Sequence, residues 1–270
     1  MKKIIILLLT INILYAGMLE EKIKNIIGEK NYMVHKNLID NSFKNKELFV
    51  QNDNINYLKV LEVLKSEGLL DLQLKSPSNI HIDFEFIGNK FHSLKNVKDI
   101  MVALGYNYFK AYEINDHNDT YIYSIDYRSE FLLDSQMFAN ELNQIDAKII
   151  DIESNENNKW YYKIDFSGAK VYGAKKMTNN EKIKLKKPLK PYLLEIEDAK
   201  TLVIISPRLN KWYPKIAFLD ERLEYINSVE KDRVYKGVRT KIPNATKYIQ
   251  VGDSYSLMNI KRGLTIIVKN

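Results

Sequence analysis

The chain contains no cysteine in 270 residues. Disulfides, thiolate metal centres, thiol nucleophiles and lipid attachment through cysteine are therefore excluded. Histidine is nearly as scarce. His35, His81, His92 and His117 are the whole set, and no two stand four residues apart, the spacing that places two ligands on one helix face. They read as solvated or hydrogen-bonded side chains, so no metal is expected. There is no phosphate-cradling glycine-rich loop and no G-x-S-x-G elbow. The acidic pairs Asp83/Glu85 and Asp151/Glu153 share strand faces at i, i+2, where alternation makes solvated surface the simpler reading than paired acid–base work. These absences together predict a protein without cofactor or catalysis.

What is present begins with an address. Lys2 and Lys3 precede an apolar run from Ile4 to Leu14, followed by Tyr15-Ala16-Gly17. This is the layout of a secretory signal peptide, cut between Ala16 and Gly17. The run is about half the roughly 20 residues a membrane-spanning helix needs, so cleavage and a periplasmic location are expected, with no membrane span afterwards.

The front half reads as a repeat, residues 17–90 and 91–168. Each copy opens on a helix ending in glycine, Ile26-Ile27-Gly28 and Ala103-Leu104-Gly105, where glycine suits a left-handed helix stop. Extended pairs follow, Tyr32 to Phe43 with Lys46 to Val50, and Tyr106 to Asn115 with Thr120 to Tyr127. A second helix comes next (Tyr57 to Leu64; Ser135 to Leu142). Two strands then close each copy: Leu72 to Leu74 with Ile80 to Phe86, and Ile149 to Ile152 with Trp160 to Phe166. The element order predicts tandem α-β-β-α-β-β units.

Residues 169–190 read as a basic linker. Between Ser167 and Lys190 stand eight lysines and one acid, Glu181, a net +7 that equals the formal charge of the whole chain. Lys175, Lys176, Lys184, Lys186 and Lys187 are candidates for an anionic-surface contact; nucleic acid is not expected. After Pro191, seven short alternating segments punctuated by turn residues predict a β-sandwich over residues 191–270, jelly-roll or immunoglobulin-like. The predicted fold class is α+β throughout. Within this tail, the runs Trp212-Tyr213-Pro214-Lys215-Ile216-Ala217-Phe218-Leu219-Asp220-Glu221 and Ile242-Pro243-Asn244-Ala245-Thr246-Lys247-Tyr248-Ile249-Gln250-Val251 resemble strand segments of the periplasmic maltose operon protein family. The resemblance implies a C-terminal β-sandwich. It does not extend to the front half.

Two further motifs carry a mechanism. Asp116-His117-Asn118-Asp119-Thr120 has the form of an extended bacterial N-glycosylation sequon, with Asn118 as acceptor. Trp212 and Tyr213 are candidates for stacking on sugar rings. The sequence thus predicts an exported, non-enzymatic adaptor or scaffold that docks envelope protein partners, in an assembly such as an appendage or flagellar motor. The alternative is a glycan- or peptidoglycan-binding module built on the C-terminal domain.

Overall fold

The computed structural model describes residues 17–51, 54–117, 120–155 and 158–270. The chain divides into two compact units, residues 1–170 and 171–270, and is of mixed α+β class.

In the N-terminal unit, residues 17–27 form helix α1. It buries Leu19, Ile23 and Ile26, the i, i+4, i+7 stripe of an amphipathic helix. Gly28, at φ 80°, stops it. Helices α2 (Glu29–Val34) and α3 (Lys36–Ser42) follow, then two-residue strands β1 (Val50–Gln51) and β2 (Asn54–Ile55). Helix α4 (Tyr57–Ser66) is capped by the Asn56 side chain, which accepts from Lys59 N. The remainder runs β3 (Gln73–Ile87), α5 (Lys90–Ala103), β4 (Lys110–His117), β5 (Thr120–Phe131), α6 (Ser135–Gln144), β6 (Lys148–Asn155) and β7 (Lys159–Asp165).

These strands make one five-stranded sheet in the order β4-β5-β3-β7-β6. The central β3–β7 pair is parallel and the others are antiparallel. Alternation sends Ile80, Ile82, Phe84 and Phe86 of β3 into the core, with Trp160, Tyr162 and Ile164 of β7 beside them. Phe138 of α6 packs on this face, its ring 5.6 Å from both Phe84 and Tyr162. Ser135 and Tyr162 share a buried hydrogen bond of 2.6 Å.

The expected tandem repeat is not seen. The second copy has its α-β-β-α-β-β order, but the first does not. Residues 32–43 are helical where a strand was expected, because Tyr32, Ile39 and Phe43 are the buried positions and their spacing of seven and four follows a helical face. Leu72 to Phe86, read as two strands, includes the single long β3. Its pairing with β5 shifts register between Gln73 and Ser78, around Pro77, which has no N–H to give to a ladder.

The C-terminal unit holds nine strands: β8 (Ala174–Met177), β9 (Lys182–Lys184), β10 (Tyr192–Ile196), β11 (Thr201–Ile205), β12 (Pro214–Leu219), β13 (Tyr225–Glu230), β14 (Gly237–Lys241), β15 (Tyr248–Asp253) and β16 (Thr265–Lys269). They form two sheets, β13-β12-β15-β10-β8 and β14-β11-β16-β9. Both sheets contribute to one apolar cluster, including Leu194, Leu202, Ile216, Ile249 and Ile266. All seven strands expected after Pro191 are present. The stretch 169–190 departs from the linker reading, since it supplies β8 and β9, and its Met177 and Ile183 enter the core.

Candidate functional site

The face of the five-stranded sheet away from the aromatic core carries the polar side chains of the same strands. Antiparallel register sets His81 of β3 opposite Asp126 of β5, and Asp83 opposite Ser124. His81 Nδ1 lies 2.6 Å from Asp126 Oδ1 and its Nε2 lies 3.0 Å from Asp83 Oδ1. The Ser124 hydroxyl donates to the same Asp83 oxygen. One step along, Glu85 accepts from Tyr161 OH and pairs with Lys163 Nζ at 2.7 Å. Burial pushes the Glu85 carboxyl up, but the hydrogen bonds from Lys163 and Tyr161 outweigh it and hold the group below the usual carboxylate range. Burial and the Glu85 contact together push the Tyr161 hydroxyl far up.

Beside this network lies a cleft of about 720 Å³, a size typical of ligand grooves. Strand β3, strand β5, the start of β7 and the α5–β4 connection form its walls. His81, Lys110, Asp126, Arg128 and Lys159 line it, with Tyr108 at the rim, 93% exposed. Lys110, Arg128 and Lys159 are exposed and have no ion pair among the described residues. The cleft is therefore basic at its walls, and its one imidazole is already engaged.

The chemistry of the network follows from who bonds whom. Nucleophilic catalysis by serine needs the hydroxyl on the imidazole; here Ser124 is on a carboxylate and both ring nitrogens of His81 face carboxylates. The acidic pairs flagged in the sequence are separately engaged. Asp83 meets His81 and Ser124, while Asp151 accepts from Tyr57 OH at 2.7 Å and pairs with Lys22 at 2.6 Å. Ser167 and Lys170 stand at S-x-x-K spacing, but Lys170 pairs with Asp146 at 2.7 Å and its side chain is 67% exposed. Among the described residues no group of three or more His, Asp or Glu side chains could hold a metal ion, and no helix is long and apolar enough to cross a membrane.

The remaining sequence candidates fall in different places. Ala16 and Asn118 lie outside the described residues, and Gly17 begins α1. Lys175 and Lys176 are exposed on β8, where Lys176 pairs with Glu197 at 2.7 Å. Lys184 ends β9, in the other sheet, and Lys186 and Lys187 are exposed in the loop after it. The five lysines thus come from two strands, in different sheets, and from the loop after the second. Trp212 corrects the stacking expectation. It is fully buried in the core, and its Nε1 donates to Gly252 O at 2.8 Å, so no sugar can reach it. Tyr213 is half-buried, its ring edge-on to the exposed Tyr255 at 4.8 Å. The cleft beside His81 escaped sequence reasoning because its residues come from four separated segments; only the run Tyr108-Phe109-Lys110 was a local signal.

No family model matches the chain, and no curated protein matches it. Solved structures align with about a third of it, among them the following three. The pre-peptidase C-terminal domain of a collagenase from Bacillus anthracis aligns over 36% of this chain and 92% of its own at 10% identity, with a TM-score of 0.25. PliG, a periplasmic inhibitor of g-type lysozyme from Aeromonas hydrophila, aligns over 36% and 99% at 14% identity, with a TM-score of 0.20. A β-glucosidase from Paenibacillus barengoltzii aligns over 35% and 11% at 14% identity, with a TM-score of 0.18. None of the three is a maltose operon protein, and likenesses of this size assign neither a family nor an activity.

Proposed function

We propose that the chain is an exported, non-enzymatic adaptor of the cell envelope whose N-terminal unit docks an acidic segment of a protein partner. The observation that carries this reading is the cleft beside His81. Three exposed cations, Lys110, Arg128 and Lys159, surround it, and the rigid, exposed ring of Tyr108 stands at its rim. Aromatic and arginine side chains at the mouth of a groove are the usual anchors of a protein interface, and exposed cations select an acidic partner. The network behind the cleft holds its wall without offering a free nucleophile or base.

The test places a photo-crosslinking amino acid at Tyr108 in cells producing the full chain. One discrete protein adduct is expected, lost when Lys110 and Arg128 are both changed to Glu. An adduct that survives the charge reversal, or none from a folded and exported protein, overturns the reading. Export has its own check: the mass of the protein from the periplasmic fraction should match a chain beginning at Gly17. Glycan binding by the C-terminal unit is the weaker reading, because the burial of Trp212 leaves only the half-covered Tyr213 of its two stacking residues.

A further inference from the structure

The charge of the C-terminal unit is distributed by end. Registers of the two sheets place four connections at one end: residues 185–191, 206–213, 231–236 and 254–264. Together these hold ten Lys and Arg against one acid, Asp232. The connections at the other end, residues 178–181, 197–200, 220–224 and 242–247, hold six acids against three Lys and Arg. Lys186, Lys187 and Lys190 of the lysine-rich stretch are therefore part of a larger basic surface drawn from four separate stretches of chain.

The same end exposes apolar side chains. Leu189 is 95% exposed, Leu209 71%, Tyr255 69% and Met258 55%. They project from a fixed base. Leu185 N donates to Leu264 O at 2.8 Å, Lys211 N to Asn259 O at 3.0 Å, and the Asn210 amide to Gly263 O at 2.9 Å. Lys236 Nζ reaches the carbonyls of Arg208 and Asn210. The Asp253 carboxylate accepts from Tyr213 N, Tyr255 N, Ser256 N and the Asn259 amide, which fixes the turn that carries Tyr255.

From this combination we infer that the basic end of the C-terminal unit is a peripheral docking surface for an anionic phospholipid bilayer. Cations alone would serve any polyanion. Exposed leucine and methionine among them gain nothing from a hydrated polysaccharide or nucleic acid, whereas at a lipid surface they enter the headgroup boundary while lysine and arginine meet the phosphates. Tyrosine is also suited to that boundary, with an apolar ring and a wet hydroxyl. The mode is interfacial and reversible, and needs no spanning segment.

The experiment is flotation of the chain from residue 17 to 270 with vesicles of phosphatidylglycerol and phosphatidylcholine, against vesicles of phosphatidylcholine alone. Binding to the anionic vesicles only is expected, weakened by added salt. A double variant, Leu209→Ser with Tyr255→Ser, keeps every charge and should bind anionic vesicles about tenfold more weakly, with an unchanged melting temperature and unchanged binding to soluble dextran sulfate. Leu209→Trp supplies a probe of depth, and its emission should shift to the blue and be quenched by brominated lipid. Failure of the wild type to float with anionic vesicles overturns the inference. So does equal vesicle binding by the double variant, which would mark charge attraction without insertion. Either result leaves the crosslinking test at Tyr108 untouched, because that cleft belongs to the other unit.

Discussion

Glu85 sits with its side chain 14% exposed between Lys163 and Tyr161. Its carboxyl is held below its ordinary value, so the ionised form is favoured in the folded protein. That stabilisation is present above the ordinary carboxylate range and is lost as the pH falls through the lowered value. The melting temperature of the wild type should therefore exceed that of Glu85→Gln near neutrality, and the gap should close on acidification. Removing the group altogether, as Glu85→Ala, leaves Lys163 and Tyr161 without their acceptor and should cost about 1–3 kcal/mol in urea denaturation. Gly263 is a stricter case. Its φ is 78°, and a Cβ there would lie 1.8 Å from Leu185 O. Gly263→Ala combines left-handed strain with a backbone clash and should cost about 3 kcal/mol or more. Trp212 was legible in part. Trp212, Pro214, Ile216 and Phe218 alternate and all are buried, so the phase of β12 already pointed the indole inward. The neighbouring tyrosine suggested a surface pair, although adjacent residues on a strand face opposite sides. Trp212→Ala should cost about 3–5 kcal/mol. His81 shows the converse. Asp126 lies 45 residues away on another strand, and no local pattern announces that pairing.

At the scale of elements, legibility followed periodicity. Strands of the C-terminal unit were readable because most alternate in burial, as β12 does with its pattern of buried and more exposed positions. Residues 32–43 were not, because aromatic and β-branched residues there suggest a strand by type while their buried positions obey the helical period. The first helix illustrates packing over propensity. Residues 17–27 are held by Leu19, Ile23 and Ile26 in the core, and by Ser154 of β6, whose hydroxyl donates to the carbonyls of Asn25 and Ile26 at 3.1 and 2.9 Å. Ile23→Ala should cost about 2–5 kcal/mol by urea titration, while Ser154→Ala should cost nearer 1 kcal/mol. The lysine-rich stretch was misread as a linker because charge dominates its composition. Met177 and Ile183, the two residues that tie its strands to the core, are a small minority of its letters.

For the molecule as a whole, the division at Lys170 and Val171 implies that residues 171–270 fold alone. That fragment should give a single cooperative thermal transition and retain the vesicle binding expected of the full chain. A fragment that is unfolded by circular dichroism would contradict the division. The charge distribution was invisible to any reading of consecutive residues, since four connections that are distant in sequence supply it and only strand registers bring them to one end.

The parallel pairing of β3 with β7 sets an order in time. His81 meets Lys159 and Ile87 meets Asp165, so the centre of the N-terminal sheet joins strands separated by two helices and three other strands. Loop-closure entropy must be met before that contact forms, and non-local pairing slows folding. As the chain emerges N-terminus first, its first 150 residues can settle helices and hairpins, yet the middle strand keeps one bare edge until its partner arrives. A chain arrested before residue 159 should be a poor folder and a ready target for proteases, whereas one extended past residue 165 can close.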